Sequence, residues 1–303
     1  MKAIVLKEYG GTDKLDLRDC PDPEPSADQT KVRVASASIN PIDWKLRSGA
    51  AKARMPLEFP AILGRDAAGE VVSVGPGVTA FKPGDRVMGL VQGAYAEFVV
   101  APVGAWAKLP DGLASADAGA LPLALLTGDQ LVDATLGAAG GAGLTVLVTG
   151  AVGAVGRVAV FVAKARGATV LAGVRSKQVA EAEKLGAHGV IALNDASAVE
   201  RLATLDCIAD TVGGETIARL LPKVKPGGVI GSVVGEPAEA KARGLTVHAF
   251  MAHPNSERLG QLGAAVASGE LAIPIAKRFS LADARAAQEL AERGGVAKVL
   301  LIP

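Results

Sequence analysis

The chain reads as a two-part α/β protein: a β-rich part built from both chain ends and, between them, a doubly wound parallel sheet. Three observations predict this. Short strand-like runs punctuated by Pro–Gly turns fill residues 1–101. From Leu144 onward, apolar strands alternate with helical segments, the pattern of a parallel sheet with helical crossovers. After Ala252 comes a run of helix, strand, helix and strand that this sheet does not need, so the tail is expected to return to the first part. The expected boundaries are 1–124 with 254–303, and 125–253.

Composition narrows the function classes. At 303 residues, half of them apolar and 21% charged, the chain can bury two ordinary cores. Basic and acidic residues nearly balance at a formal net charge of +1, with no long like-charge run, so neither nucleic acid nor an anionic membrane is expected as a partner. No run of about eighteen apolar residues predicts a membrane span. Cys20 and Cys207 lie far apart and read as free thiols of a reducing cytoplasm.

Taken in order, the first strands are expected at Ala3–Leu6, Lys31–Ser38, Gly69–Val74, Arg86–Leu90 and Tyr95–Val100. Gly75-Pro-Gly77 and Lys82-Pro-Gly-Asp85 are turns, because Pro presets φ and Gly accepts positive φ. Between two strands, Asn40-Pro-Ile-Asp-Trp-Lys-Leu-Arg-Ser-Gly49 enters a short helix with Pro41 at its first position. After Pro110 the chain becomes Ala/Leu-rich, and two helices are expected, one ending before Pro122 and one over 127–136. Gly137-Ala-Ala-Gly-Gly-Ala-Gly143 has the glycines of a phosphate loop, but no helix follows it, so it reads better as a link. Five further strands, at Ala168–Val174, Gly189–Leu193, Cys207–Val212, Gly228–Val234 and Leu245–Met251, join the Leu144 strand.

Chemistry enters at Gly150-Ala-Val-Gly153-Ala-Val-Gly156. It lies between the apolar strand Leu144–Thr149 and a helix that Gly167 ends. Such a turn lets backbone approach a pyrophosphate, and the N–H groups and dipole of the helix N-terminus favour an anion there. Gly150, Ala151, Val152, Gly153, Ala154 and Val155 are therefore candidate contacts of a dinucleotide. An NAD-specific unit places Asp or Glu about twenty residues further on, at the end of the second strand. This chain has Arg175-Ser176-Lys177 there. A guanidinium binds a 2′-phosphate that a carboxylate would repel, so the expected cofactor is NADPH, with Arg175 and Ser176 as its phosphate contacts. The plainer alternative leaves Arg175 and Lys177 solvated at a helix start.

Seven motifs in order then resemble the medium-chain dehydrogenase/reductase superfamily, in its zinc-free quinone oxidoreductase (zeta-crystallin-like) branch. They are the Asn40–Gly49 segment, Gly64-Arg-Asp-Ala-Ala-Gly69, Lys82–Val87, Gly93-Ala-Tyr-Ala-Glu-Phe98, Leu126-Thr127-Gly128, the Gly150 turn and Asp210–Gly214. The resemblance spans the whole chain. It implies a GroES-like β domain from both chain ends, a Rossmann domain between them, an active site in the cleft, and homodimers. It also implies cofactor contacts from Asn40, Thr127, Val233, Val234, Phe250 and Met251.

Where zinc-dependent relatives carry ligands, this chain has Asn40 and Gly64-Arg65-Asp66, so no metal is expected. Without a Lewis acid, the better hydride acceptors are a quinone or an α,β-unsaturated carbonyl. Three residues are candidates for catalysis. Asn40 either donates to a substrate carbonyl or is a turn residue before Pro41. Asp43 either orients Asn40 or relays a proton, or is a first-turn acid. Lys45 either stabilises an oxyanion or extends to solvent. Tyr95 is a proton donor or packs beneath the cleft, and Arg65 and Asp66 are expected to pair. The alternatives from other classes are a non-catalytic NADPH-binding sensor or structural protein, and an enoyl reductase dedicated to one pathway.

Overall fold

The computed structural model describes residues 1–303. The chain opens with β1 (Lys2–Leu6) and β2 (Leu15–Asp19), an antiparallel pair in which β1 is buried along nearly its whole length. The long strand β3 (Gln29–Ile39) runs into helix α1 (Pro41–Arg47), followed by β4 (Ala61–Ile62), β5 (Asp66–Val74), β6 (Arg86–Leu90), β7 (Phe98–Pro102) and β8 (Trp106–Lys108). A short helix α2 (Ser115–Ala118) precedes α3 (Pro122–Leu136). Where two helices were expected on either side of a break, α3 starts at Pro122 itself. Proline has no N–H to leave unbonded, and its fixed φ suits a first helical position.

From there strands and helices alternate: β9 (Thr145–Thr149), α4 (Ala154–Ala165), β10 (Thr169–Val174), α5 (Val179–Glu183), β11 (Gly189–Ala192), α6 (Ala196–Glu200), β12 (Leu205–Asp210), α7 (Gly214–Leu220), β13 (Val224–Ser232) and β14 (Thr246–Ala249). The Gly137–Gly143 stretch is a link: Gly137, Gly140 and Gly143 take positive φ in turns that lead into β9. The tail adds α8 (Ser256–Ala267), β15 (Ile275–Ser280), α9 (Ala284–Glu292) and β16 (Lys298–Ile302).

Two compact units result, Met1–Leu123 with His253–Pro303, and Ala124–Ala252. In the first, a seven-stranded sheet runs β15-β16-β3-β5-β6-β8 with β7 also on β3, and β2-β1-β4 form a second, three-stranded sheet. The returning tail is therefore no appendage: β16 pairs directly with the end of β3, Val299 opposite Ile39 and Leu301 opposite Ala37. The core of this unit holds Trp106 and Tyr95, both essentially without exposure. Short strands β2, β4 and β8 were not foreseen, because two to five residues carry too little periodicity to separate strand from loop.

The second unit is a six-stranded parallel sheet in the order β11-β10-β9-β12-β13-β14. That is the doubly wound Rossmann order, which reverses direction between β9 and β12. Its strands read as continuous apolar runs because helices cover both faces. Cys20 and Cys207 are free thiols. No helix is long and apolar enough to cross a membrane.

Helix α1 is held at its C-terminal end by Arg47, which is buried. Its guanidinium donates to Gln288 Oε1 at 2.5 Å and Glu292 Oε2 at 2.8 Å on α9, and to the Gly10 carbonyl at 3.2 Å. Truncation would leave the buried Gln288 oxygen without its donor and remove a buried guanidinium's packing and ion pair. Arg47→Ala is expected to destabilise the protein by about 2–3 kcal/mol, read from the urea midpoint at unchanged slope.

Candidate functional site

The Gly150 turn is built on a backbone conformation that favours glycine. Gly150 has φ +63°, and a Cβ there would lie 2.5 Å from Thr211 Oγ1. Gly156 sits so close beneath the turn that its Cβ would meet the Gly150 carbonyl at 2.2 Å. Gly153 precedes α4 in extended conformation, and no side chain caps it. The first-turn N–H groups at 154–156 are thus left without a capping partner, the arrangement that receives an anion. Val152, Gly153, Ala154 and Val155 are partly exposed around this turn. Ala151 is not: it is buried and its N–H donates to the Gly173 carbonyl at 3.2 Å, so it shapes the turn rather than lining it.

The turn stands at the point where the sheet order reverses. Across that point Thr149 Oγ1 donates to Asp210 Oδ1 at 2.7 Å, and the same oxygen accepts the N–H groups of Val212 and Gly213. Asp210 Oδ2 is buried with no partner, an orphaned acceptor at the switch point. One strand over, Arg175, Ser176 and Lys177 are exposed at the end of β10. Asn194 Oδ1 accepts both the N–H of Ser176 at 2.7 Å and its hydroxyl at 3.1 Å. No acid stands at the end of β10; the first one downstream, Glu181, is ion-paired to Arg157. These features fit a nicotinamide dinucleotide, with Arg175 and Lys177 suited to an added phosphate.

Beyond the C-terminal ends of β12, β13 and β14, Val212, Val234 and Met251 are 48%, 39% and 50% exposed. Large apolar side chains rarely stand open three in a row at one sheet edge without a ligand to cover them. Val233 and Phe250 are half-buried beside them. Val212 was not foreseen; its position directly after a parallel strand was the available signal. Thr127 lies nearly buried on α3, next to Gly128, whose absent side chain lets that helix approach Val158 of α4.

The other three predicted residues belong to the first unit, in a buried polar cluster. Asn40 ends β3 and is followed by Pro41 at the start of α1. Its carboxamide is fully committed: Nδ2 donates to Asp66 Oδ2 at 2.8 Å and Ser38 Oγ at 3.1 Å, and Oδ1 accepts from Lys298 Nζ at 2.7 Å. Asn40 therefore has no amide proton left for a substrate carbonyl, and the donor role expected of it is not supported. Asp43 is buried too. Its Oδ2 accepts the Asn40 N–H at 2.8 Å, half of a capping box, and the Tyr95 hydroxyl at 2.8 Å, while Oδ1 has no partner. Lys45, by contrast, is exposed on α1.

Tyr95 is buried in the core of the first unit and its hydroxyl donates to Asp43. Gly64 makes room for its ring, since a Cβ there would lie 2.5 Å from Tyr95 Cδ1. The expected Arg65–Asp66 pair does not form. Asp66 is buried at the start of β5 and faces Lys298 at 3.5 Å, because strand alternation turns adjacent side chains to opposite faces. Asp66 also accepts the Ser38 hydroxyl, and its other oxygen accepts the Leu123 N–H that opens α3. Lys298, the partner that Asp66 takes, went unrecognised in the sequence. The available signal for Lys298 was a lysine inside an apolar terminal strand, which demands a buried partner.

Burial dominates the electrostatics of the cluster. It pushes the Asp43 carboxyl up to about 6, against the opposing hydrogen bonds from Asn40 and Tyr95. It raises the Tyr95 phenol well above its ordinary value, with Asp43 adding to the effect, so Tyr95 stays protonated as a donor. It lowers the Lys298 ammonium, which Asp66 and Asp43 support. The residues present do not fit a zinc ion. No three His, Cys, Asp or Glu side chains stand close enough to hold one, and the Asp66 carboxylate is already balanced by Lys298.

Comparison with known proteins identifies the family. Residues 26–111 match the alcohol dehydrogenase GroES-like domain, and residues 185–299 match the zinc-binding dehydrogenase family. The quinone oxidoreductase of Pseudomonas aeruginosa is 32% identical over 100% of this chain and 99% of its own. The chloroplastic quinone-oxidoreductase homolog of Spinacia oleracea is 36% identical over 63% of this chain, a match that spans 60% of the spinach protein. The structure of Escherichia coli quinone oxidoreductase complexed with NADPH superimposes with a TM-score of 0.86 at 27% identity, covering 100% of both chains.

Asp43 makes a pH prediction with a definite sign. Its folded value of about 6 lies above the ordinary 3.8, so the native state binds the extra proton between them. This stabilisation is complete below about pH 4 and is lost as pH rises through 6, a change of about 3 kcal/mol. In urea denaturation from acidic to neutral pH, wild type should lose that amount relative to Asp43→Asn. Parallel curves for the two proteins would contradict the assignment.

Proposed function

We propose that this chain, which belongs to the quinone oxidoreductase branch of the medium-chain dehydrogenase/reductase superfamily, is a zinc-independent oxidoreductase that uses NADPH to reduce a quinone or an α,β-unsaturated carbonyl. The observation that carries the reading is the end of β10. Two cations, Arg175 and Lys177, stand exposed where an NAD-specific unit needs a carboxylate. The relative solved with NADPH supports the same choice.

When bound, the reduced nicotinamide supplies a hydride. The chain's own residues bind and orient it: first-turn N–H groups at Ala154 and Val155 receive the pyrophosphate, and Arg175 with Ser176 receives the 2′-phosphate. Val212, Val233, Val234, Phe250 and Met251 form an apolar rim that excludes water from the ring. Lys45, the exposed member of the three predicted catalytic residues, stabilises the oxyanion that forms on the reduced substrate, and solvent returns the proton. The absence of a fitting ligand set for zinc favours acceptors that need no Lewis acid. We also propose a homodimer. Strand β14 ends the sheet of the second unit with an unpaired, largely exposed edge, a template for a second copy.

Steady NADPH oxidation with 1,4-benzoquinone or a small enone is the expected result, and saturable NADPH binding without turnover across such a panel would favour a sensor instead. Arg175→Ala should weaken NADPH binding by about 10- to 100-fold while NADH binding changes less than about threefold. Equal losses for the two cofactors would remove Arg175 from the phosphate site.

A further inference from the structure

The Lys298–Asp66 pair is poorly explained by stability. At 3.5 Å the two charges attract, while each buried ion forfeits much of its hydration. The two nearly cancel, and an apolar pair of similar volume would pack as well. What such a pair could not do is hold a carboxamide. The Asn40 side chain lies within the pair, accepting from the ammonium at 2.7 Å and donating to the carboxylate at 2.8 Å. One oxygen and one nitrogen thus meet partners of opposite charge, which admits one orientation of the amide and rejects its flip.

Asn40 is also the residue at which β3 becomes α1, and Asp43 takes its backbone N–H. Its rotation would be felt along a helix of only seven residues. The far end of that helix is tied by Arg47 to Gln288 and Glu292. The partners at both ends, Lys298 and the α9 residues, come from the returning C-terminal segment. Between the two ties Pro41 and Lys45 are exposed, and of these only Lys45 carries a charge.

We infer that Lys298 is a positioning residue of this site: its buried ammonium locks the Asn40 carboxamide against Asp66 and thereby sets the N-terminus of α1 and the placement of Lys45. The inference rests on the oxidoreductase reading for its catalytic consequence only. The Lys298 ammonium is buried against Asn40 and Asp66, so its effect passes through Asn40.

The test compares Lys298→Met, Lys298→Arg and the double variant Lys298→Met/Asp66→Asn in the full chain. The double variant removes both charges together, so it folds even where the single Met variant, left with an unpaired buried carboxylate, does not. Turnover of 1,4-benzoquinone with NADPH is measured first in wild type. For the double variant, kcat should fall by about 10- to 100-fold with NADPH affinity within about twofold of wild type, and Lys298→Arg should recover to within about fivefold. Carbon-13 NMR of the Asp43 carboxyl gives a readout independent of activity. The groups that face Asp43 are Asn40, Tyr95, Asp66 and Lys298, so loss of the ammonium alone in Lys298→Met should move its midpoint upward, and Lys298→Arg should not. A folded double variant with wild-type kcat overturns the inference, as does an unmoved Asp43 midpoint in folded Lys298→Met. Wild type without turnover sinks the oxidoreductase reading instead, and the Asp43 midpoint then still decides whether Lys298 acts on the cluster.

Discussion

A single buried carboxylate holds the first unit's site together. Asp66 has no exposure, and its two oxygens gather Ser38 from β3, Asn40 from the start of α1, Lys298 from β16 and Leu123 from the start of α3. A buried charge must be neutralised or fully hydrogen-bonded. Meeting that demand brings together residues from one end of the chain to the other. It also explains why the tail cannot be dispensable: β16 supplies both a sheet neighbour for β3 and the counter-charge for Asp66.

The two halves of the proposed machinery are built on different physical principles. In the second unit, recognition rests on backbone. Gly150 adopts a φ that only glycine takes readily, Gly156 permits close packing, and an uncapped helix presents N–H groups. Side chains enter only as charge at the end of β10 and as an apolar rim at the strand ends. In the first unit, side chains do the organising, and nearly every polar atom is spoken for. The exceptions are informative. Thr30 Oγ1, Asp43 Oδ1, Arg65 Nε, Trp106 Nε1 and Gln288 Nε2 are buried without partners, and burial pushes the Asp43 carboxyl up to about 6.

That saturation also bears on metal chemistry. In zinc-dependent relatives the positions of Asn40 and Gly64-Arg65-Asp66 would furnish ligands. Here the amide and the carboxylate are turned toward each other and toward an ammonium. The site keeps a positive centre but makes it part of the chain. Lys298 directs that charge at Asn40 and Asp66, so it orients its neighbours.

Legibility followed the range of the interaction. The doubly wound sheet, its six strands and the Gly150 turn were plain in the sequence, because apolar runs, glycine spacing and the Arg175 position are all local patterns. The swap of Arg175 for an acid could be read from a single position relative to one turn. The start of α3 at Pro122, the short strands and the Arg65–Asp66 mispairing were not readable, because packing partners decide them. Above all, the sequence by itself could nominate Asn40 but not say what its amide does. Three of the atoms that settle the question belong to Ser38, Asp66 and Lys298, and only folding the ends of the chain together places an ammonium 258 residues away within 2.7 Å of it. Local backbone chemistry is written in order along the chain, whereas the balance of buried charge exists only once distant strands have paired.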